Sequence, residues 1–156
     1  MTSNATKVPE GFHTATPYLI IKDAASAMEF YKKAFGAVEL ERIADPDGKV
    51  RHGEIKIGDS PFMITDENAD FPDWLSPQSR GGSTVHIYLY VEDCDAVFNQ
   101  AIAAGAKELL PMKDQFYGDR SGGLTDPYGH VWYVATRIEN VSEEEIMRRA
   151  SEQSHS

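Results

Sequence analysis

The chain is poor in several things that whole classes of function require. Its 156 residues include one cysteine, Cys94, so no disulfide can close within it. No stretch approaches the roughly 20 apolar residues of a membrane-spanning helix, so no membrane partner is expected. Basic residues are scarce, with 15 Lys and Arg against 25 Asp and Glu and a formal net charge of -10. That balance argues against nucleic acid, whose backbone is gripped by clustered Lys and Arg, and favours a neutral or cationic ligand. The first residues, MTSNATKVPEGF, contain no apolar run and do not read as a secretory signal, so a cytoplasmic location is expected. There is no G-x-S-x-G elbow, no P-loop and no dinucleotide fingerprint. GDRSGG has glycines but neither the spacing nor a strand-to-helix setting.

What the chain does have is an internal likeness. TPYLIIKDAASAMEFYKKAFGA, from Thr16 to Ala37, is matched by STVHIYLYVEDCDAVFNQAIAAGA, from Ser83 to Ala106. Each runs from a β-branched or alternating apolar strand into an Asp that suits a helix N-cap, then into apolar residues at helical spacing, then Gly-Ala. The offset is 70 between Asp23 and Asp93 and 69 between Gly36 and Gly105, which places a one-residue deletion inside the second helix. After the first helix, strands are predicted at 38–42, 50–57 and 61–65, broken by Asp45-Pro46-Asp47-Gly48 and Gly58-Asp59-Ser60. After the second, strands are predicted from Lys107, over 117–125 and over 130–136, with Asp126-Pro127-Tyr128-Gly129 as a turn. The reading is two βαβββ modules in an α+β fold, the sheets mixed or antiparallel and the helices outside. A flexible arm is expected over 1–13, a single domain over 14–137 (module one 14–66, an aperiodic linker 67–82, module two 83–137), and a C-terminal helix and tail over 138–156. Ser142 and Glu145 fit a capping box for that last helix.

The paired modules resemble the vicinal oxygen chelate superfamily, which includes glyoxalase I, bleomycin-resistance proteins, fosfomycin-resistance enzymes and extradiol dioxygenases. The wording AMEFYKKAFGA, ADPDGKVRHGEIKIGDS, LYVEDCDAVFNQAIAAGA and DQFYGDRSGGLTDPYGHVW, with the tail after IENVSEEE, is similar to its PhnB-like branch over about residues 16–150. The resemblance implies a glyoxalase-like fold, an open barrel-like sheet around a small-molecule cavity between the modules, and a homodimer. In the catalytic branches it also implies a divalent metal, such as Zn, Ni, Mn or Fe, held from the first and fourth strands of each module. Counted from the helix-capping Asp residues, those positions are Thr16, Met63, His86 and Tyr133. A hydroxyl, a thioether and a phenol that must lose a proton at a reference pKa of about 10 leave His86 as the one good inherited ligand. No metal cofactor is therefore expected at the inherited site.

Other candidates follow from strand alternation. His52 and Glu54 share one face, opposite Ile55 and Ile57, and read either as ligands converging with His86 or as a polar cavity wall. Tyr18, Tyr88, Tyr90 and Tyr133 fall on the inward face, as pocket lining or as plain core. In DQFYGDR, Arg120 beside Asp114 and Asp119, among Phe116 and Tyr117, presents its fork to a ligand or forms an internal salt bridge. Trp74 in the linker is placed over the cavity mouth, and Trp132 against a helix. Cys94 and His130 read as structural. The ligand-binding set is Tyr18, His52, Glu54, Met63, His86, Tyr88, Phe116, Arg120 and Tyr133. The expected function is small-molecule binding without metal. The alternative is a divalent-metal-dependent lyase, isomerase or dioxygenase, and a metal-free enzyme using His86 or Glu54 as acid–base has no motif behind it.

Overall fold

A computed structural model describes residues 4–153. The chain divides into two compact units, one ending at Gly82 and the other starting at Ser83.

In the first unit, strand β1 (Tyr18–Ile21) leads into helix α1 (Ala24–Phe35), followed by β2 (Val38–Ala44), β3 (Val50–Ile57) and β4 (Ser60–Asp66). The sheet order is β1-β4-β3-β2, with β1 parallel to β4 and the other pairs antiparallel. Helix α1 starts where Asp23 accepts from the Ser26 amide, Asp23 itself standing in the left-handed region at φ 69°. It ends at Gly36, also left-handed, whose amide closes onto Lys32 and Tyr31. Strand alternation then sorts the side chains. Leu19, Ile21, Ile55, Ile57, Phe62 and Ile64 are buried together with Ala27, Met28 and Tyr31 of α1. Full burial of each large apolar side chain stabilises the unit by about 1.5–3 kcal/mol. Asp66 staples the layers: one carboxylate oxygen accepts from the Ala24 amide at 2.8 Å and the other from Val50 at 2.7 Å.

The second unit repeats the plan. Its elements are β5 (His86–Tyr90), helix α3 (Cys94–Ala104), β6 (Lys107–Asp114), β7 (Asp119–Thr125) and β8 (Val131–Arg137), with sheet order β5-β8-β7-β6. The first unit ends with the short helix α2 (Pro77–Arg80), so the segment predicted as an aperiodic linker contains one ordered turn. It is pinned by the Glu67 carboxylate, which accepts from the Ser76 amide at 2.7 Å. Leu89, Phe98, Ala101, Leu124, Trp132 and Val134 make the second core, Trp132 facing the helix side as its phase predicts. Thr136 stands seventy residues after Asp66 and does the same work, accepting from the Cys94 amide at 3.0 Å. Both sheets are mixed and neither closes on itself.

The C-terminal helix α4 (Glu143–Gln153) belongs to the second unit. Ser142 caps it by accepting from the Glu145 amide, but the Glu145 carboxylate turns to Arg148 and Arg149, so only half of the capping box forms. Arg149 in turn donates to the Phe116 carbonyl and to Glu139, tying α4 to the β6–β7 turn.

Candidate functional site

Each sheet has one face against its helix and one face without a helix of its own. The chemistry gathers on the second of these. In the first unit that face carries Tyr18, Met63, His52, Glu54 and Glu41, since Tyr18 pairs with Met63, Met63 with Glu54, and Glu54 with Glu41 across the ladder. His52 Nε2 lies 3.0 Å from Glu54 Oε1 and 4.0 Å from Glu41 Oε2. On its other side, His52 Nδ1 is 3.4 Å from the Tyr18 hydroxyl. Burial pushes the Tyr18 hydroxyl pKa up, partly offset by the hydroxyl of Thr65. Trp74 meets Tyr18 edge-on at 5.8 Å and stacks on Phe71 at 4.7 Å. Tyr18, Ile20, Asp73, Trp74 and Leu75 line a groove of about 350 Å³.

In the second unit the same face carries tyrosines. Tyr88 stacks on Tyr133 with ring centres 5.7 Å apart and planes 16° apart, and Tyr90 stands beside Tyr88 at 5.1 Å. His86 lies 5.6 Å from the Tyr133 ring. The stack rests on Gly123, where an added Cβ would meet the Tyr133 ring at 3.0 Å. Behind it sits Asp119, only 1% exposed. Its carboxylate accepts from Tyr90 at 2.8 Å, Tyr88 at 3.2 Å and Arg137 Nε at 2.6 Å. Burial alone would raise the Asp119 pKa, but these donors, Arg137 first, hold it below the ordinary carboxylate value. Burial also drives the Tyr88 pKa well above that of a free tyrosine. Tyr88, Tyr90, Tyr117, Asp119, Arg137, Val141 and Ile146 border a cavity of about 460 Å³. A smaller one of about 140 Å³ adjoins Tyr88, Tyr117, Ser121, Gly123 and Tyr133.

Of the sequence candidates, Tyr18, His52, Glu54 and Met63 are thus brought together in the first unit, and His86, Tyr88 and Tyr133 in the second. Arg120 joins neither group. Neighbouring residues on a strand point to opposite faces, so Asp119 looks to the tyrosines and Arg120 to the helix side. The Arg120 fork is bidentate on Asp95 of α3, at 2.8 and 3.0 Å, with a third bond to Asp114. Asp119 therefore pairs with Arg137, not with its chain neighbour. Phe116 lies in the turn before β7, edge-on to Tyr117 at 5.2 Å. Glu41 and Arg137 were not among the candidates. Both reach their places through strand registers that sequence alternation alone does not supply.

A doubled βαβββ chain with two helix-backed mixed sheets is the architecture of the glyoxalase class. A model of the Glyoxalase/Bleomycin resistance protein/Dioxygenase superfamily matches residues 12–134, and the chain belongs to that superfamily. It is similar to the uncharacterised protein Rv0887c of Mycobacterium tuberculosis, 41% identical over 143 residues that cover 88% of this chain and 82% of that protein. It is similar in structure to the Arabidopsis thaliana gene product At5g48480, with TM-score 0.65, 28% identity, and 80% and 98% of the two chains covered. The PhnB protein of Bacillus cereus shares the fold at TM-score 0.63 and 21% identity, over 80% and 99% of the two chains.

The positions at which the family's catalytic branches hold a metal do not fit one here. Thr16 precedes β1, Met63 offers a thioether, and the Tyr133 ring is packed flat on Tyr88. His86 is the single strong donor of the four, and a divalent ion needs three or four.

Proposed function

We propose that this chain is a small-molecule binding protein of the bleomycin-resistance type, holding a planar aromatic guest, neutral or cationic, without a metal at the inherited positions. The observation that carries this reading is the Tyr88–Tyr133 stack, held ready by Asp119 beside a cavity of ligand size. A buried carboxylate that fixes two tyrosine hydroxyls limits their rotamers, so a guest costs less ordering on arrival. Ring faces attract cations as well as flat rings, and the excess of 25 acidic over 15 basic residues adds a favourable field for a cation. The guest-contacting set is Tyr88, Tyr133 and His86 in the second unit; Tyr18, Met63, His52 and Glu54 gather on the open face of the first. Phe116 borders the set through Tyr117. Arg120 is left out because its fork is occupied.

The test is thermal stabilisation of chelator-treated protein by acriflavine, a planar aromatic cation, and by acridine, its neutral relative. Both should raise Tm, and Tyr88→Ala should cut the affinity about tenfold, the worth of one aromatic pair. No stabilisation by either compound would sink the reading. A second reading, a divalent-metal-dependent lyase, isomerase or dioxygenase, is favoured by the Glu41–His52–Glu54 group alone. Two further expectations rest on family resemblance and the sequence: a homodimer, checked by light scattering on a sizing column, and a cytoplasmic location, checked by cell fractionation.

A further inference from the structure

We infer that Glu41, His52 and Glu54 form a site for one divalent transition-metal ion, shifted from the family's positions onto the two neighbouring strands. Glu54 pairs with Met63, the residue at an inherited ligand position, and Glu41 pairs with Glu54 one strand further out. His52 Nε2 and one oxygen from each carboxylate all lie within 4.8 Å of one another. Donors about 2.0–2.2 Å from a tetrahedral ion stand about 3.4 Å apart, between the 3.0 and 4.0 Å separations seen from His52 Nε2 to Glu54 and Glu41.

Charge gives an independent argument. Glu41 and Glu54 face each other directly across the β2–β3 ladder, an arrangement of like charges that destabilises a sheet. Several other carboxylates near the surface have cationic partners: Glu29 and Glu39 have Lys32 and Arg42, Asp45 has Arg51, Asp95 has Arg120, and Glu145 has Arg148 and Arg149. Among the described residues no Lys or Arg pairs with Glu41 or Glu54; their shared partner is His52. A divalent ion would neutralise both carboxylates at once.

The imidazole is set for the same task. In the metal-free ring Nε2 donates its proton to Glu54 at 3.0 Å; an ion there would take the Nε2 lone pair and leave the proton on Nδ1, facing the Tyr18 hydroxyl at 3.4 Å. Metal-binding histidines have just such a partner on the second nitrogen. One imidazole and two carboxylates suit a borderline ion such as Zn²⁺, Mn²⁺ or Ni²⁺, and three protein ligands leave a coordination position open. The inference does not depend on guest binding in the second unit.

Isothermal titration of Zn²⁺ into the untagged, chelator-treated full chain tests it. One ion per chain should bind. His52→Ala and Glu54→Gln should each weaken binding by about tenfold or more, Glu41→Gln and Tyr18→Phe by less, and His86→Ala should leave it unchanged. With Co²⁺ as probe, wild type should show ligand-field bands that His52→Ala abolishes. Glu41 is exposed, so Glu41→Gln leaves the fold intact and guards against a loss caused by misfolding. Absence of saturable binding, unchanged affinity in both Glu54→Gln and Glu41→Gln, or loss of the ion in His86→Ala would each overturn the proposal.

Discussion

The two units are copies in backbone and opposites in chemistry. Tyr18 and Tyr88 occupy the same place, as do Met63 and Tyr133, each pair seventy residues apart and joined by the same parallel ladder. Following the antiparallel ladders outward, Glu54 corresponds to Gly123 and Glu41 to Leu110, the partners of Met63 and Glu54 in one unit and of Tyr133 and Gly123 in the other. His52, two residues before Glu54, corresponds to Ser121. The first unit thus places three donors where the second has a leucine, a serine and a glycine. The second uses the space above its glycine for a stacked tyrosine. One scaffold gathers two carboxylates and an imidazole in one copy and stacked tyrosines in the other, because an open sheet face tolerates exchange of side chains that the helix-facing core does not.

The largest effect that would break this contrast is expected at Asp119. Asp119→Ala leaves two tyrosine hydroxyls and Arg137 without their acceptor and should cost about 2–4 kcal/mol in urea unfolding. A loss under about 0.5 kcal/mol would show that the network does not organise the aromatic face.

Next in size is the exchange at the paired positions Glu54 and Gly123. Gly123→Ala drives a Cβ into the Tyr133 ring and should cost about 1–2 kcal/mol and disturb the stack, visible in near-ultraviolet circular dichroism. Glu54→Ala, at the matching place in the first unit, removes a half-buried carboxylate from a like-charge pair and should change stability by no more than about 0.5 kcal/mol. Equal effects would mean that the two faces are not specialised.

A smaller effect is expected from acid. The pKa values of Asp119, Glu139 and Glu145 are depressed in the folded chain, the last to about 2, for Glu139 and Glu145 chiefly by the hydrogen-bonded arginines. Depressed carboxylates contribute stability that is fully present above their unfolded values near 4 and fades as pH falls through the folded ones. Stability should therefore drop from about pH 4.5 downward. Asp119→Asn should flatten part of that slope, because a neutral amide cannot titrate. An unchanged slope in this variant would contradict the depressed Asp119.

Much of the fold was legible from short signals. Asp23, Gly36, Asp93 and Gly105 cap their helices as read, and the turn glycines Gly48 and Gly129 have positive φ. The faces of Ile55, Ile57, Trp132 and Tyr133 follow from alternation. The site was only partly legible, for two reasons. The first is irregular register: a shift between Glu39 and Glu41 sends Glu39 to Lys32 and Arg42 beside α1 and Glu41 to the open face, although plain alternation would put them together. The second is that adjacency in sequence misleads on a strand. Asp119 and Arg120 look like partners in DQFYGDR, yet they point apart, and Asp119 finds Arg137 across the ladder. Charged neighbours one residue apart are better read as belonging to different faces.

On the reading proposed above, the guest sits on the tyrosine face without help from a metal at the inherited positions. Calorimetric titration of acriflavine into the chain before and after chelator treatment, with Tyr88→Ala and His86→Ala beside it, tests it most directly. The same affinity is expected with and without chelator, with a fall of about tenfold in Tyr88→Ala and of less than about threefold in His86→Ala. Binding that vanishes with chelator and in His86→Ala, while Tyr88→Ala binds normally, would contradict it.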